Sequence, residues 1–519
     1  MIISDPRLAQ ALARLPEYLG NHILLSLCAL TLGIAISLPL GILASRNAAL
    51  RWPLLAVASL VQTIPGLALL ALFYPLLLGL SNLTAMAFNA PFSAFGFLPS
   101  LLALTLYSML PVLRNTITGL NGIEPAILEA AQGAGMTPVQ SLRMVELPLA
   151  APVIMAGIRT AAVWVIGTAT LSTPVGQTSL GNYIFTGLQT QNWVFVLFGC
   201  VAAAALAMTV DQLLALIESG VKTQRHRRIF SGIAGIALVV AAALIPGNAQ
   251  RAAGNYVIGA KTFTEQFILA ALIEQKLGKA NLPASRLDGL GSTIAFDALA
   301  NNEIDVYVDY SGTLWANQMQ RNDVRPREEV LRELRDWLAG KNILLLGPLG
   351  FENSYALVMK RSRADALKIK TIADLAIHAP QLSIAADYEF LARPEWAAVR
   401  DAYGLRFRAQ RQMQSTFMYE AVATGEADVI SAFSSDGRIK QYDLVVLDDP
   451  KRSLPPYDAI LLIAPKRAKD AAFLAALKPL IGAIDVEQMR EASLLADRRD
   501  NKQTVEDAAR WLSERLQKR

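Results

Sequence analysis

A short apolar segment, Tyr256-Val-Ile-Gly259, leads into Thr264-Glu265-Gln266, where a hydroxyl residue stands at the cap position of a helix. Free N–H groups and the helix dipole at such a start suit an anion, so anion binding is the chemistry expected there. Further along, Asp297-Ala-Leu-Ala-Asn-Asn-Glu-Ile-Asp-Val-Tyr-Val-Asp-Tyr310-Ser can be laid without gaps on Glu420-Ala-Val-Ala-Thr-Gly-Glu-Ala-Asp-Val-Ile-Ser-Ala-Phe433-Ser. Ala298, Glu303, Asp305 and Val306 coincide with Ala421, Glu426, Asp428 and Val429. Both copies read as a helix turning into a strand, which puts Tyr310 and Phe433 just where open α/β sheets bind ligands. One aromatic facing a cleft from each of two similar lobes is the functional reading. Independent helix-to-strand packing is the alternative.

Other chemistries are excluded by what the sequence lacks. No GxxxxGK[ST] loop occurs, because Gly278-Lys279 and Gly340-Lys341 have neither the upstream glycine nor the following hydroxyl residue. Energy from ATP therefore requires a partner chain. His22, His226 and His378 are scattered, and Cys28 and Cys200 lie inside apolar runs, so neither a metal site nor a disulfide framework is expected. With no nucleophile elbow and no acid/base pair of carboxylates, an enzyme and a bound cofactor are not expected either.

The elements that must carry these residues divide into two solvents. Of 519 residues, 53% are hydrophobic and 18% charged, too apolar for one water-soluble globule. Long uncharged runs fill residues 22–245, whereas residues 255–519 have the punctuation of a soluble domain. Spans of about 20 apolar residues are expected at 22–43, 53–78, 97–118, 149–172, 193–217 and 229–246. The net charge of +5 resides largely in the loops between them, which argues for topology and against nucleic acid. Arg46 and Arg51, then Arg114 and Arg143, then Lys222, Arg225, Arg227 and Arg228 mark alternate loops, while loops 79–96 and 173–192 have no Lys or Arg. The N-terminus is thus expected outside, and six spans return residues 250–519 to the outside. The run Arg225-His-Arg-Arg, 17 uncharged residues and Pro-Gly-Asn-Ala-Gln is read as an uncleaved anchor. A signal peptide cut after Ala249 is the alternative.

Between the third and fourth spans stands Glu129-Ala-Ala-Gln-Gly-Ala-Gly135, followed after nine residues by Val145-Glu-Leu-Pro148. Local rules predict a helix ended by Gly133 and Gly135, then a short helix capped by Thr137 with Pro138 at its first position, with Pro148 opening the next span. This stretch resembles the cytoplasmic signature of permease subunits of binding-protein-dependent ABC importers, with Val145 the one conservative departure. The resemblance implies docking on a separate ATP-binding subunit through Glu129, Ala130, Ala131 and Gly135, and two permease cores per complex, hence a homodimer of the membrane domain.

The second half resembles the binding proteins of glycine betaine/choline/osmoprotectant ABC importers. The motifs are Gly259-Ala-Lys-Thr-Phe-Thr-Glu-Gln266, Ile304-Asp-Val-Tyr-Val-Asp-Tyr-Ser-Gly-Thr313, Asn353-Ser-Tyr-Ala-Leu357, Ser431-Ala-Phe-Ser-Ser-Asp-Gly-Arg-Ile439 and Leu454-Pro-Pro-Tyr457. The expected architecture is an N-terminal all-α polytopic membrane domain (1–220), a basic loop and anchor (221–254), and a C-terminal α/β two-lobed periplasmic binding protein fold (255–519). Its first lobe would comprise 255–353 and 456–519, and its second 354–455. By motif position the resemblance implies an aromatic cage of Tyr310, Tyr355, Phe433 and Tyr457 around a quaternary ammonium. Such a group donates no strong hydrogen bond and is held by ring faces. A betaine's carboxylate would take Gln266, Thr313 and Arg393 as donors, although Pro394-Glu395-Trp396 replaces the Asp-Gly expected near Arg393. Ergothioneine, a trimethylated betaine, is a further candidate ligand. Trp315 and Trp337 are assigned to packing. The membrane half contacts lipid, and a ligand-gated receptor or channel is the competing class, against which the coupling signature argues.

Overall fold

The computed structural model describes residues 6–88, 92, 94, 96–189, 192–244, 256–321, 323, 325–387, 390–413, 415–498 and 501–517. The chain forms two compact units, residues 1–185 with 194–252 and residues 253–519 with 186–193.

The first unit is helical. Among the described residues, five helices are long and apolar enough to cross a membrane: Arg7–Arg46, Gly66–Phe88, Phe97–Asn121, Pro138–Val175 and Trp193–Lys222. Small residues let three of them pack closely, since a Cβ on Gly33 would lie 1.8 Å from Ser108 Oγ and one on Gly157 would lie 2.7 Å from the Pro111 carbonyl. The expected span at 53–78 is two helices, Ala48–Thr63 and Gly66–Phe88. Ile64 is pushed to an extended conformation (φ −72°, ψ 127°) by Pro65, which ends the first helix. The sixth expected span is a 19-residue helix, His226–Leu244; the proposed cut after Ala249 lies outside the described residues.

Among the described residues, the second unit holds ten strands: β1 (Tyr256–Lys261), β2 (Ala284–Leu290), β3 (Val306–Tyr310), β4 (Leu344–Glu352), β5 (Tyr355–Lys360), β6 (Ser383–Ala386), β7 (Ala409–Gln412), β8 (Val429–Phe433), β9 (Leu444–Val446) and β10 (Asp458–Ile463). They form two five-stranded sheets, β2-β1-β3-β10-β4 and β7-β6-β8-β5-β9. The first three strands of each sheet are parallel and the last two pair antiparallel. The internal echo in the sequence is therefore a structural repeat. In each copy the aspartate ahead of the strand accepts a backbone N–H from the neighbouring strand, Val257 N to Asp305 at 2.7 Å and Ser383 N to Asp428 at 2.9 Å. Tyr310 and Phe433 are the last residues of β3 and β8. The chain passes between sheets at Asn353-Ser354 and returns into β10, and the two crossings are tied by the Asn353 N–H to the Tyr457 carbonyl at 2.9 Å. Trp315 is buried, its indole N–H donating to the Asp323 carbonyl at 2.9 Å, and Trp337 stacks on Phe296 with centroids 5.5 Å apart.

Candidate functional site

The strand ends of the second unit bring the expected aromatics together. Tyr355 opens β5 and Phe433 closes β8, and the antiparallel register sets them directly opposite, with centroids 4.8 Å apart. Tyr457, immediately before β10, meets Tyr355 edge-on at 5.8 Å. Tyr310 joins the set through Phe263, whose ring lies 6.0 Å from Tyr310 and 5.7 Å from Phe433. Phe390 adds a further ring 4.9 Å from Tyr355. Phe263 and Phe390 escaped the sequence reading. Phe263 sits inside the quoted Gly259–Gln266 motif, so its place between strand and helix was the available signal.

Phe263, not Thr264, occupies the cap position of helix Thr264–Lys279, with φ −138° and no side-chain cap bond. Thr264 is the first helical residue, and its hydroxyl donates to Asp497 at 2.7 Å. The chain's own Glu265 carboxyl occupies the helix start where a ligand's anion was expected. Glu265 is buried there and accepts from Tyr310 Oη at 2.5 Å, from Asn353 Nδ2 at 3.0 Å and from the Ser435 hydroxyl. Burial pushes its carboxyl up to about 7, against the pull of those three donors. The dipole at the helix N-terminus favours this carboxyl in its ionised form.

Gln266, expected as a carboxylate donor, makes two hydrogen bonds within the chain. Its Nε2 donates to Tyr310 Oη at 2.8 Å and its Oε1 accepts the Lys261 N–H at 3.3 Å, so the amide orients Tyr310. Beneath that ring Lys261 and Asp309 form a buried ion pair, and the ammonium lies 5.3 Å from the ring centroid. Burial and the adjacent Glu265 raise the Tyr310 phenol well above its ordinary range. Thr313 is buried at the end of the turn Ser311–Thr313. Next to it Gly312 lies flat on Tyr457, where an added Cβ would meet ring atom Cε2 at 2.5 Å.

Arg393 precedes helix Pro394–Tyr403 and holds its guanidinium 5.5 Å from the Tyr355 ring centroid. Its Nη1 is 3.6 Å from Glu395 Oε1, and the Tyr457 hydroxyl donates to that same oxygen. The arrangement therefore presents ring faces, which attract cations, beside one guanidinium, which pairs with carboxylates. Among the described residues no group of three His, Cys, Asp or Glu could hold a metal ion.

In the first unit, helix Pro125–Gly133 ends at Gly135 with φ +80°, and Thr137 and Gln140 form a capping box ahead of Pro138. The following short helix runs on through a π turn, Leu142–Glu146, into helix Leu147–Ala169. Glu129, Ala130 and Gly135 are exposed, whereas Ala131 is buried and faces inward. Glu146 is buried and gripped by Arg46 at 2.6 Å and Ser141 at 3.0 Å, which fixes the loop's far end to helix Pro6–Arg46.

Comparison with known proteins places both halves. Residues 254–514 match the family described as the substrate binding domain of ABC-type glycine betaine transport systems, and residues 37–223 match the binding-protein-dependent transport system inner membrane component. The ergothioneine transport permease/ergothioneine binding protein EgtU of Helicobacter pylori is 29% identical over 87% of this chain and 82% of its own length. The choline transport system permease protein OpuBB of Bacillus subtilis is 42% identical over 38% of this chain and 84% of its own length. A crystal structure of a glycine betaine/carnitine/choline ABC transporter aligns at 26% identity with a TM-score of 0.45, covering 51% of this chain and 98% of that one. This is a multi-pass membrane protein with its binding domain on the outer side, as in importers, and an importer of this type works with a separate ATPase and a small-molecule ligand. The chain belongs to the family of glycine betaine-type ABC import systems, with the permease and the substrate-binding domain fused in one polypeptide.

Proposed function

We propose that this chain captures a quaternary-ammonium zwitterion of the betaine type, ergothioneine included, and carries it inward. The observation that carries the reading is the connected ring set Tyr310–Phe263–Phe433–Tyr355–Tyr457 with Arg393 at its side. A trimethylammonium group offers no strong donor and gains about 0.5–2 kcal/mol per ring face when desolvated, so several rings are needed. Arg393 takes the carboxylate with Thr313 as a hydroxyl donor, and Gln266 serves by holding Tyr310.

Residues 1–220 act as the permease, 221–254 as loop and anchor, and 255–519 as the binding domain, with lobes 255–353 plus 456–519 and 354–455. Helix His226–Leu244 makes the sixth crossing, and the membrane domain pairs with a second copy of itself within the lipid. The chain has no ATPase of its own: hydrolysis comes from a separate subunit that docks on the exposed Glu129, Ala130 and Gly135 and on the apolar side chains exposed beside them, Ile127, Val139 and Met144. Ala131 contributes by packing the docking helix inward.

Calorimetric titration of the purified chain in nanodiscs with glycine betaine, choline, carnitine, ergothioneine, a neutral sugar and a simple amino acid tests the ligand class. Binding of at least one trimethylammonium compound well above the sugar and the amino acid is the expected result. Preference for either of the last two overturns it.

A further inference from the structure

One buried carboxyl group in the ring cluster is only half used. Glu395 is 2% exposed, and its Oε1 takes both the Tyr457 hydroxyl and the neighbourhood of Arg393 Nη1 at 3.6 Å. Its Oε2 is buried and has no hydrogen-bond partner among the described residues. A second acceptor, Asn353 Oδ1, is also buried and unpartnered, while the same residue's Nδ2 is bound to Glu265 at 3.0 Å. Leaving such an oxygen desolvated is unfavourable, more so where charge is involved, unless something else bonds to it.

A zwitterion made only of a trimethylammonium and a carboxylate cannot satisfy Glu395 Oε2. Its methyl groups donate no strong hydrogen bond and its carboxylate is itself an acceptor, repelled by Glu395. Arg393 and Glu395 also offset each other's charge, so with both present the pair suits a ligand that is neutral overall and carries one more polar group. Resting on the betaine-type reading above, we propose that Glu395 is a specificity-determining residue. It selects quaternary-ammonium ligands that carry an additional hydrogen-bond donor, a ring N–H or a hydroxyl, which bonds to Oε2. The helix Pro394–Tyr403 holds this oxygen from the sequence side, and the Tyr457 hydroxyl fixes the carboxyl plane from the other. Tyr457 is in turn seated against Gly312, so the acceptor's position is set by packing.

The test is a titration of the full chain in nanodiscs, wild type and Glu395→Gln, with four probes. Glycine betaine has no additional donor, choline and carnitine each have a hydroxyl, and ergothioneine has ring N–H. Glutamine keeps the volume and an oxygen for Tyr457 while turning the other terminus from acceptor to donor. In wild type, at least one donor-bearing probe should bind about tenfold or more tightly than glycine betaine. In Glu395→Gln the loss for that probe should exceed the loss for glycine betaine by about tenfold or more. Equal losses, or no loss, overturn the assignment while leaving the betaine-type reading standing. If the variant does not fold, as judged by its melting curve, the wild-type ranking decides: glycine betaine at or above the donor-bearing probes overturns the proposal. Failure of all four probes to bind wild type is a different outcome, and it sinks the underlying reading and this proposal with it.

Discussion

At the scale of single residues, the rings and the hydroxyls of the site separate. Changing Tyr310 or Tyr355 to Ala should weaken ligand binding by about 1–2 kcal/mol, roughly five- to thirty-fold, because one cation-facing surface is lost. Tyr310→Phe keeps the ring but leaves Glu265 and Gln266 each without one partner, so it should lower the melting temperature. An unchanged melting temperature would remove the hydroxyl from the account. Arg393→Ala should weaken a betaine more than choline, which brings no carboxylate to the guanidinium; equal losses in titration would end the carboxylate assignment. Glu265 gives a pH signature. Its carboxyl ionises near 4.5 in an unfolded chain and near 7 in the native one, so the native state holds the extra proton between those values. Stability from this group is fully present below about 4.5 and is lost as pH rises through about 7. Burial raises Asp497 as well, adding to the same trend, while Asp436 also disfavours the ionised Glu265. Melting curves of wild type and Glu265→Gln between pH 4.5 and 8 should show a shallower decline in the variant, and parallel curves would contradict the assignment.

At the scale of elements, two short segments position the chemistry. The turn Ser311–Thr313 places Gly312 under the Tyr457 ring, so Gly312→Ala must displace that ring from Glu395. The expected result is weaker ligand binding without loss of Tyr355–Phe433 pairing, measured by titration alongside a melting curve; wild-type affinity would show that Tyr457 has no role in the site. In the segment proposed to dock the ATPase, Gly135 has a left-handed φ of +80° with open space around its Cβ position. Gly135→Ala therefore strains the backbone by about 1 kcal/mol without a clash. Together with Glu129→Ala it should lower transport and coupled ATP hydrolysis while ligand titration stays as in wild type. Normal transport in both variants would rule out docking there.

At the scale of the whole molecule, energy supply and orientation can be checked directly. The purified chain should hydrolyse no ATP until the partner ATPase is added, and intrinsic hydrolysis by a clean preparation would overturn the division of labour. Protease added to intact cells, or to spheroplasts where an outer membrane is present, should release a fragment from residues 250–519. Complete protection would reverse the orientation, and a soluble domain found without protease would favour cleavage after Ala249.

The two solvents, the helix–glycine–helix shape of the segment between the third and fourth spans and the existence of two similar α/β halves were legible from the chain alone. Each depends on local rules: apolar run length, cap and glycine placement, and a helix-to-strand pattern that must repeat when a sheet is built twice. Through the family resemblance the sequence also pointed to Tyr310, Tyr355, Phe433 and Tyr457, whose rings the fold brings into one connected set. Tertiary structure alone decided which side chains face one another across the two sheets. Phe263 lies 170 residues from Phe433 in the chain yet stacks on it, and Glu265 draws donors from Tyr310, Asn353 and Ser435, which only the fold brings into reach. That network claims Gln266 for Tyr310 and fills the helix start that seemed open to a ligand's anion. It also leaves Glu395 with a buried oxygen that, among the described residues, has no hydrogen-bond partner. Periodicity and spacing report how a segment lies on its own element, whereas the partner of a buried polar atom is fixed by contacts distant in sequence, and those exist only once the lobes are packed.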